Sequence, residues 1–195
     1  DRFEVGSGSL IALVALVVVV AALIPMLSAA RPAREIPTPT VEENLSSPGA
    51  DGWEDVPAVD IPLSAAPSGI PGAQDVSVRT VDVQAAQSET ELFVRLQWSD
   101  PAKSTSDDSP QSFADGAAVQ IPVDTSTQPA IAMGSKQNLV NVWNWRADGS
   151  TEYLLAGGQG STTLLPASEL STMSSYDNET WTVTHSRSLL SNETN

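Results

Sequence analysis

Cysteine is absent from this chain of 195 residues, and histidine occurs only once, at His185. Without cysteine the chain forms no disulfide, offers no thiolate to a metal ion and holds no cysteine-bound iron–sulfur cluster. A single histidine falls short of the two or three nitrogen or sulfur ligands that a metal hydrolase uses. No serine lies in a Gly-x-Ser-x-Gly sequence, so a nucleophile elbow is also missing. We therefore expect a chain that is not itself an enzyme.

Positive charge is scarce as well. Lysine and arginine together number 9 against 24 aspartate and glutamate residues, and the formal net charge is -15. Nucleic acid would repel such a chain, so we expect no nucleic-acid partner. The acidic residues are spread along the sequence, which indicates a solvated surface, typical of a protein from a high-salt (halophilic) organism. The acidic stretch 99–115 lacks the spacing of an EF-hand and is predicted to be a solvated loop rather than a calcium site.

One long apolar run occurs, at residues 10–30, after a stub at residues 1–9. As a helix this run would be about 31 Å long, which is enough to cross a bilayer core. It predicts a transmembrane helix or signal anchor, although Ser28-Ala29-Ala30 would also suit the cleavage site of a signal peptide. Arg31 and Arg34 follow the run, and by the positive-inside rule they favour a cytoplasmic domain. Residues 31–50 are rich in proline and are predicted to form a semi-rigid linker.

The remaining residues, 51–195, are predicted to form one domain of short strands. Seven segments show alternating or β-branched patterns: 56–63, 76–83, 92–98, 117–123, 139–145, 153–156 and 181–183. No segment after residue 30 has the 3.6-residue period of an amphipathic helix. The glycine-rich stretch 157–161 has no P-loop lysine and is predicted to be a hairpin loop. We therefore expect an all-β fold, an antiparallel β-sandwich of immunoglobulin or jelly-roll type, preceded by one transmembrane helix.

The stretch 129–145 holds the strongest candidates for a functional site. Met133 and Gly134 read as a loop that carries a polarizable side chain to the rim of a sheet. Trp143 and Trp145 follow on one face of a strand, where they could floor a core or line a pocket for a planar ligand. A methionine beside such a strand is also common as ordinary core filling, so both interpretations stay open here.

Four segments in order give this chain a family resemblance: LFVRLQWSD (92–100), FADGAAVQIP (113–122), residues 129–145 and WTVTHSRSL (181–189). Together they resemble the haem-binding gamma subunit of the ethylbenzene dehydrogenase group. This group includes relatives that accompany dimethyl sulfide, selenate, chlorate and haloarchaeal nitrate enzymes. The resemblance covers about residues 53–189.

The resemblance implies a β-sandwich that binds haem b through a methionine and a lysine. Met133 matches the methionine, and the lysine is expected beyond Asn195, in a domain that is incomplete at its C-terminal end. Trp143 and Trp145 are expected to contact the cofactor. Arg187 is interpreted either as a partner of a haem propionate or as an ordinary surface arginine. His185 is interpreted either as a hydrogen-bonded histidine of the core or rim or as the alternative second ligand of the iron, because imidazole commonly ligates haem.

The same resemblance implies an electron-transfer subunit whose partners are a molybdenum catalytic subunit and an iron–sulfur subunit. It places the domain on the extracytoplasmic face of the cell membrane, held by the single-pass N-terminal helix, against the orientation that the local charges favour. An alternative function uses the same fold without a cofactor. In it, a membrane-anchored extracellular sandwich binds carbohydrate or a partner protein, with Trp143 and Trp145 stacking on sugars and one of them exposed.

Overall fold

Nine antiparallel strands make up the fold in a computed structural model that describes residues 34–65, 76–106, 113–131 and 133–189. The strands are β1 (Val59–Pro62), β2 (Thr80–Gln87), β3 (Glu91–Ser99), β4 (Gly116–Pro122), β5 (Val140–Arg146), β6 (Thr151–Ala156), β7 (Thr162–Leu164), β8 (Leu170–Asp177) and β9 (Thr180–Ser188). The helical segments among these residues are two short 3₁₀ turns, at Asp51–Asp55 and Ala167–Glu169. The prediction of an all-β antiparallel fold is confirmed.

The strands form two sheets that pack face to face. The five-stranded sheet has the order β1-β2-β3-β9-β8, and the four-stranded sheet has the order β4-β5-β6-β7. Side chains of successive residues alternate between the two faces of each strand, so every second residue turns toward the opposite sheet. The inward residues of both sheets share one buried cluster, which includes Val94, Trp98 and Val183 from the first sheet and Trp145 and Tyr153 from the second.

Three tryptophans join the two sheets at the centre of this cluster. The ring centroids of Trp145 and Trp181 lie 4.9 Å apart, and those of Trp98 and Trp145 lie 6.2 Å apart, both in edge-to-face geometry. Such pairs add about 0.5–1.5 kcal/mol each beyond the area they bury. The indole N–H of Trp181 donates to the Asp115 carboxylate at 2.9 Å, and the Ser104 N–H donates to the same oxygen at 2.8 Å. Asp115 therefore has a structural role at the edge of the core.

A second cluster covers the outer face of the five-stranded sheet. Leu45 is completely buried there beside Trp53, Val56 and Phe93. The Gln84 amide donates from this face to the carbonyls of Trp53 and Val56, at 2.8 and 2.7 Å. Residues 36–50 thus pack on the sandwich, and the chain from Ile36 onward forms one compact unit. A semi-rigid linker was predicted for this stretch, and in its described part, residues 36–50, apolar side chains such as Leu45 instead cover a face of the sheet.

Strands β7 and β8 were not among the predicted strands. β8 is mostly exposed and rich in serine and threonine, and β7 is exposed throughout, so neither presents the apolar alternation that marks a buried strand. Residues 76–79 precede β2 rather than belonging to it, and β2 continues to Gln87. Residues 157–161 form the predicted hairpin loop, between β6 and β7.

The predicted transmembrane segment, residues 10–30, lies outside the described residues. Within the ranges that the structure describes, no helix has the length and apolar character to cross a membrane.

Leu45→Ala tests whether residues 36–50 belong to the folded domain. Emptying this fully buried site should lower the free energy of unfolding by about 2–5 kcal/mol, through lost burial and the cavity left behind. Urea denaturation measures the loss. Ile36→Ala is the matched control, because Ile36 lies in the same segment and is exposed, so its loss should be well below that of Leu45→Ala. If both variants lost equally little unfolding free energy, residues 36–50 would not belong to the folded domain.

Candidate functional site

The backbone at Met133 is in a conformation that residues other than glycine rarely adopt. Met133 has φ 63° and Gly134 has φ 72°, both in the left-handed region. This conformation costs a residue with a Cβ about 1–2 kcal/mol. At Gly134 a Cβ would lie 2.6 Å from the Asn138 carbonyl oxygen, so only glycine fits there. Backbone strain of this kind persists only where the surrounding structure holds the residue in place, and it is found most often at functional sites.

Hydrogen bonds to neighbouring segments hold the strained turn. The Met133 N–H donates to Gln120 Oε1 on β4 at 3.1 Å, and the Met133 carbonyl accepts from the Gly158 N–H at 2.8 Å. The Gly134 N–H donates to the Ala130 carbonyl at 3.0 Å. The backbone of Met133 is therefore anchored on both sides, to β4 and to the β6–β7 hairpin loop.

The Met133 side chain is half-buried on the outer face of the four-stranded sheet. It packs with Val140, Val142 and Ala156, and Leu154 joins this cluster. Leu164 pairs with Leu154 across the strands and is 67% exposed. We call this surface the Met133 face, defined by Gln120, Met133, Val142, Leu154 and Leu164. It combines a thioether, a soft metal ligand, with apolar surface that is partly open to solvent.

Trp143 and Trp145 point away from the Met133 face. They alternate with Val142 along β5, and both belong to the core between the sheets, where Trp143 is 1% exposed. The structure thus places both tryptophans in core packing, on the other side of the sheet from Met133. The alternation was visible in the sequence, but the direction of each face was not.

His185 also lies in the core. It is fully buried on β9, and its ring centroid is 6.1 Å from that of Trp143. Its Nδ1 lies 2.9 Å from Thr172 Oγ1, and its Nε2 has no hydrogen-bond partner in the described part of the chain. Burial lowers the pKa of His185 from its ordinary value of 6.5 to about 4. Because β5 separates His185 from Met133, this arrangement does not let both ligate one iron.

Arg187 is engaged at the inner face of β9. Its guanidinium stacks over the Tyr153 ring, with 4.7 Å between the guanidinium carbon and the ring centroid. Its Nη2 lies 3.9 Å from a Glu169 carboxylate oxygen. The structure therefore brings none of Trp143, Trp145, His185 and Arg187 onto the Met133 face.

An apolar cleft of about 750 Å³ opens between β4 and the strands β1, β2 and β3. In the order of the described strands β4 ends the four-stranded sheet, so the cleft lies beside its unpaired edge. Its side chains are almost all aliphatic, and neither Met133 nor any histidine or lysine is among them. The cleft therefore has the volume for a cofactor but no side chain there to ligate iron.

Carboxylates do not form a metal site in the described residues. No group of three or more histidine, cysteine, aspartate or glutamate side chains is arranged to hold an ion there. Met133, by contrast, combines a soft sulfur ligand with an apolar surrounding.

Comparison with known families identifies the family of this chain. The profile of a family described as ethylbenzene dehydrogenase matches residues 50–165. This segment contains Met133 and the flanking strands β4 and β5, and it ends before His185. The chain belongs to the ethylbenzene dehydrogenase family. The predicted family resemblance is confirmed.

Three curated relatives of this family member are named as subunits. One is the "putative respiratory nitrate reductase heme subunit ORF7" of Haloferax mediterranei, 48% identical over 93% of the chain. Another is the chlorate reductase subunit gamma of Ideonella dechloratans, 38% identical over 75% of the chain. The third is the dimethylsulfide dehydrogenase subunit gamma of Rhodovulum sulfidophilum, 30% identical over 71%. The chain spans 67%, 62% and 57% of the lengths of these relatives.

Solved structures support the fold of this family member. A family 9 carbohydrate-binding module from Caldicellulosiruptor kristjanssonii, solved with glucose, matches with a TM-score of 0.50 and 13% identity over 83% of this chain and 72% of that one. The same module solved with cellotriose gives a TM-score of 0.51 at 13% identity, over 80% of this chain and 68% of that one. At such identity the likeness shows the sandwich fold alone.

Gln120 and Gly158 were missed by sequence reasoning. Each holds the Met133 backbone from a distant point in the chain, and nothing in the local pattern around residue 120 or residue 158 signals a contact with Met133. Gly158 has φ 116° and was identified only as part of a glycine-rich loop.

His185 makes the stability of this family member sensitive to acid. The unfolded chain takes up a proton at His185 below pH 6.5, whereas the folded chain resists this until about pH 4. Stability should therefore fall between these values as the pH drops, by about 3 kcal/mol from this residue alone. Urea denaturation across pH 4–7, compared with His185→Leu, isolates the effect from the titration of carboxylates. The difference in unfolding free energy between the two proteins should shift by that amount. A constant difference would mean that His185 is charged, or solvated, in the folded state.

Proposed function

We propose that this chain is a haem b electron-transfer subunit of a membrane-associated molybdenum oxidoreductase complex, with Met133 as one axial ligand of the iron. The observation that carries the proposal is the strained Met133, held on an apolar face within the segment that matches the ethylbenzene dehydrogenase family. The relative named a haem subunit supports the cofactor assignment, since it is 48% identical over most of the chain.

The residues of the Met133 face suit a haem. The thioether of Met133 would hold the iron, and Leu154 and Leu164 would cover apolar ring surface and keep water away. Haem supplies one-electron chemistry when bound, and the protein tunes it through ligand identity and burial. A thioether ligand favours the ferrous state and raises the reduction potential. The chain itself needs no catalytic group for this role.

The family resemblance implies a lysine as the second ligand of the iron. The sequence contains two lysines, Lys103 and Lys136. Lys103 stacks on the Tyr176 and Trp181 rings, at 5.2 and 5.3 Å, away from the Met133 face. Lys136 is exposed in the loop that carries Met133 itself. Neither lysine is among the residues that form the Met133 face.

The proposed partners are a molybdenum catalytic subunit and an iron–sulfur subunit. The names of the chlorate reductase and dimethylsulfide dehydrogenase relatives support a place in a multi-subunit complex. We propose nitrate as the substrate of the catalytic subunit, because the relative from Haloferax is named a nitrate reductase subunit. The net charge of -15 is consistent with a similar, high-salt source. We also propose that residues 10–30 anchor the subunit in the cell membrane, with the domain on the extracytoplasmic face.

Carbohydrate binding is less well supported. Stacking on a sugar needs an exposed aromatic face, which none of the five tryptophans offers, since each is at most 8% exposed; Phe113 is an exposed aromatic side chain, at 71%. Trp143 and Trp145, the residues that this alternative requires at the surface, lie in the core.

Met133→Leu tests the ligand assignment in the full-length, haem-loaded subunit. Leucine keeps the apolar volume but lacks the sulfur, so the low-spin six-coordinate spectrum of the reduced protein should be lost and haem affinity should fall at least about tenfold. Visible spectra with and without dithionite, and a haem titration, measure both effects. Met173→Leu is the matched control, because Met173 is an exposed methionine on β8, and it should leave both unchanged. An unaltered spectrum in Met133→Leu would remove Met133 from the iron. A colourless wild-type protein would refute the haem proposal itself.

A further inference from the structure

Gln120 is placed to hold the axial ligand through its backbone. On β4 this residue stands opposite Val142, whose side chain packs with Met133, so the Gln120 side chain lies on the Met133 face. Its Oε1 accepts the Met133 N–H at 3.1 Å, in a bond that this N–H shares with the Ile131 carbonyl at 3.0 Å, and its Nε2 donates to the Ala130 carbonyl at 3.4 Å. One amide thus bonds to the loop on both sides of Ile131.

The loop needs such a partner because its conformation is unfavourable by itself. Met133 at φ 63° has a strained backbone, and the Met133 side chain adds three flexible torsions of its own. The Gly134–Ala130 hydrogen bond closes the turn but does not tie it to the sheet. Gln120 supplies that tie from β4, and Gly158 supplies a second one from the β6–β7 hairpin loop.

We propose that Gln120 is a positioning residue for the axial thioether: its amide fixes the left-handed turn so that Met133 presents sulfur to the iron without further ordering. This inference rests on the proposed haem function. A thioether is a weak ligand for ferric iron, so the fraction of time it spends bound depends on how far its position is fixed in advance. Loosening the turn should lower occupancy by the thioether while leaving the core intact.

Imidazole titration of the ferric, haem-loaded, full-length subunit measures that occupancy, because imidazole displaces the more weakly held thioether. In Gln120→Leu both bonds to the loop are lost. Counting only the shorter bond, to the Met133 N–H, at about 1.4 kcal/mol, apparent imidazole affinity should rise about tenfold. The reduction potential should fall in the same variant, since the thioether favours ferrous iron. Gln120→Glu keeps an oxygen that accepts the Met133 N–H but loses the donor to the Ala130 carbonyl, so its imidazole affinity should lie between those of the wild type and Gln120→Leu.

Asn144→Leu is the matched control. Asn144 is another amide on the outer face of the same sheet, but within the described residues it donates to Glu152, at 2.9 Å, rather than to the Met133 loop. Its loss should leave imidazole affinity and potential unchanged. Hydrogen–deuterium exchange at residues 130–134 gives a readout that does not need the iron, and it should accelerate in Gln120→Leu alone among these variants.

The outcomes separate this inference from the function on which it rests. If Met133→Leu opens the iron to imidazole but Gln120→Leu does not, Met133 remains the ligand and the positioning role is refuted. If Met133→Leu has no effect, the ligand assignment fails and the positioning role fails with it. Should Gln120→Leu fail to fold, Gln120→Asn decides the question, because its shorter amide should not reach the Met133 N–H and should reproduce the tenfold change.

Discussion

Strand β5 is buried on both faces, and the rest of the molecule is arranged around that constraint. Its inward residues Trp143 and Trp145 close the core against the five-stranded sheet, while Val140 and Val142 are covered from outside by the loop that carries Met133. Alternation along a strand makes the two faces independent chemical surfaces, 180° apart. Stability therefore depends mainly on one face of β5, and the candidate ligand lies on the other.

This separation explains how the chain tolerates strain at Met133. The left-handed turn costs about 1–2 kcal/mol, which is similar to what one or two hydrogen bonds contribute. Gln120 and Gly158 provide those bonds from two neighbouring segments, and Gly134 removes the clash that any other residue would meet. The core, with its tryptophan cluster and the Asp115 hydrogen bonds, does not take part in this balance.

Much of the fold could be predicted because β3, β5 and β9 alternate clearly between apolar and polar or between large and small residues. β8 could not, since its exposed serine and threonine residues resemble those of a loop. The burial of Leu45 could not be predicted, because the composition of its proline-rich segment does not show that a sheet face distant in sequence lies against it. For the site, the sequence indicated Met133, but it could not tell which side of β5 faces the core. Hence the sequence left open whether Trp143, Trp145 and His185 lie beside the methionine or in the core, and the structure places all three in the core, across β5 from Met133.

The position of Met133 on a loop, rather than on a strand, sets which changes the ligand site tolerates. A strand residue is fixed by its ladder and by the packing of its neighbours, so moving it disturbs the core. A loop residue tied by one side-chain amide and one backbone bond can shift without disturbing the tryptophan cluster. Substitutions at Gln120 would therefore alter the geometry of the ligand at little cost to folding. Truncation of a core tryptophan, Trp145 or Trp181, would instead destabilise the whole domain.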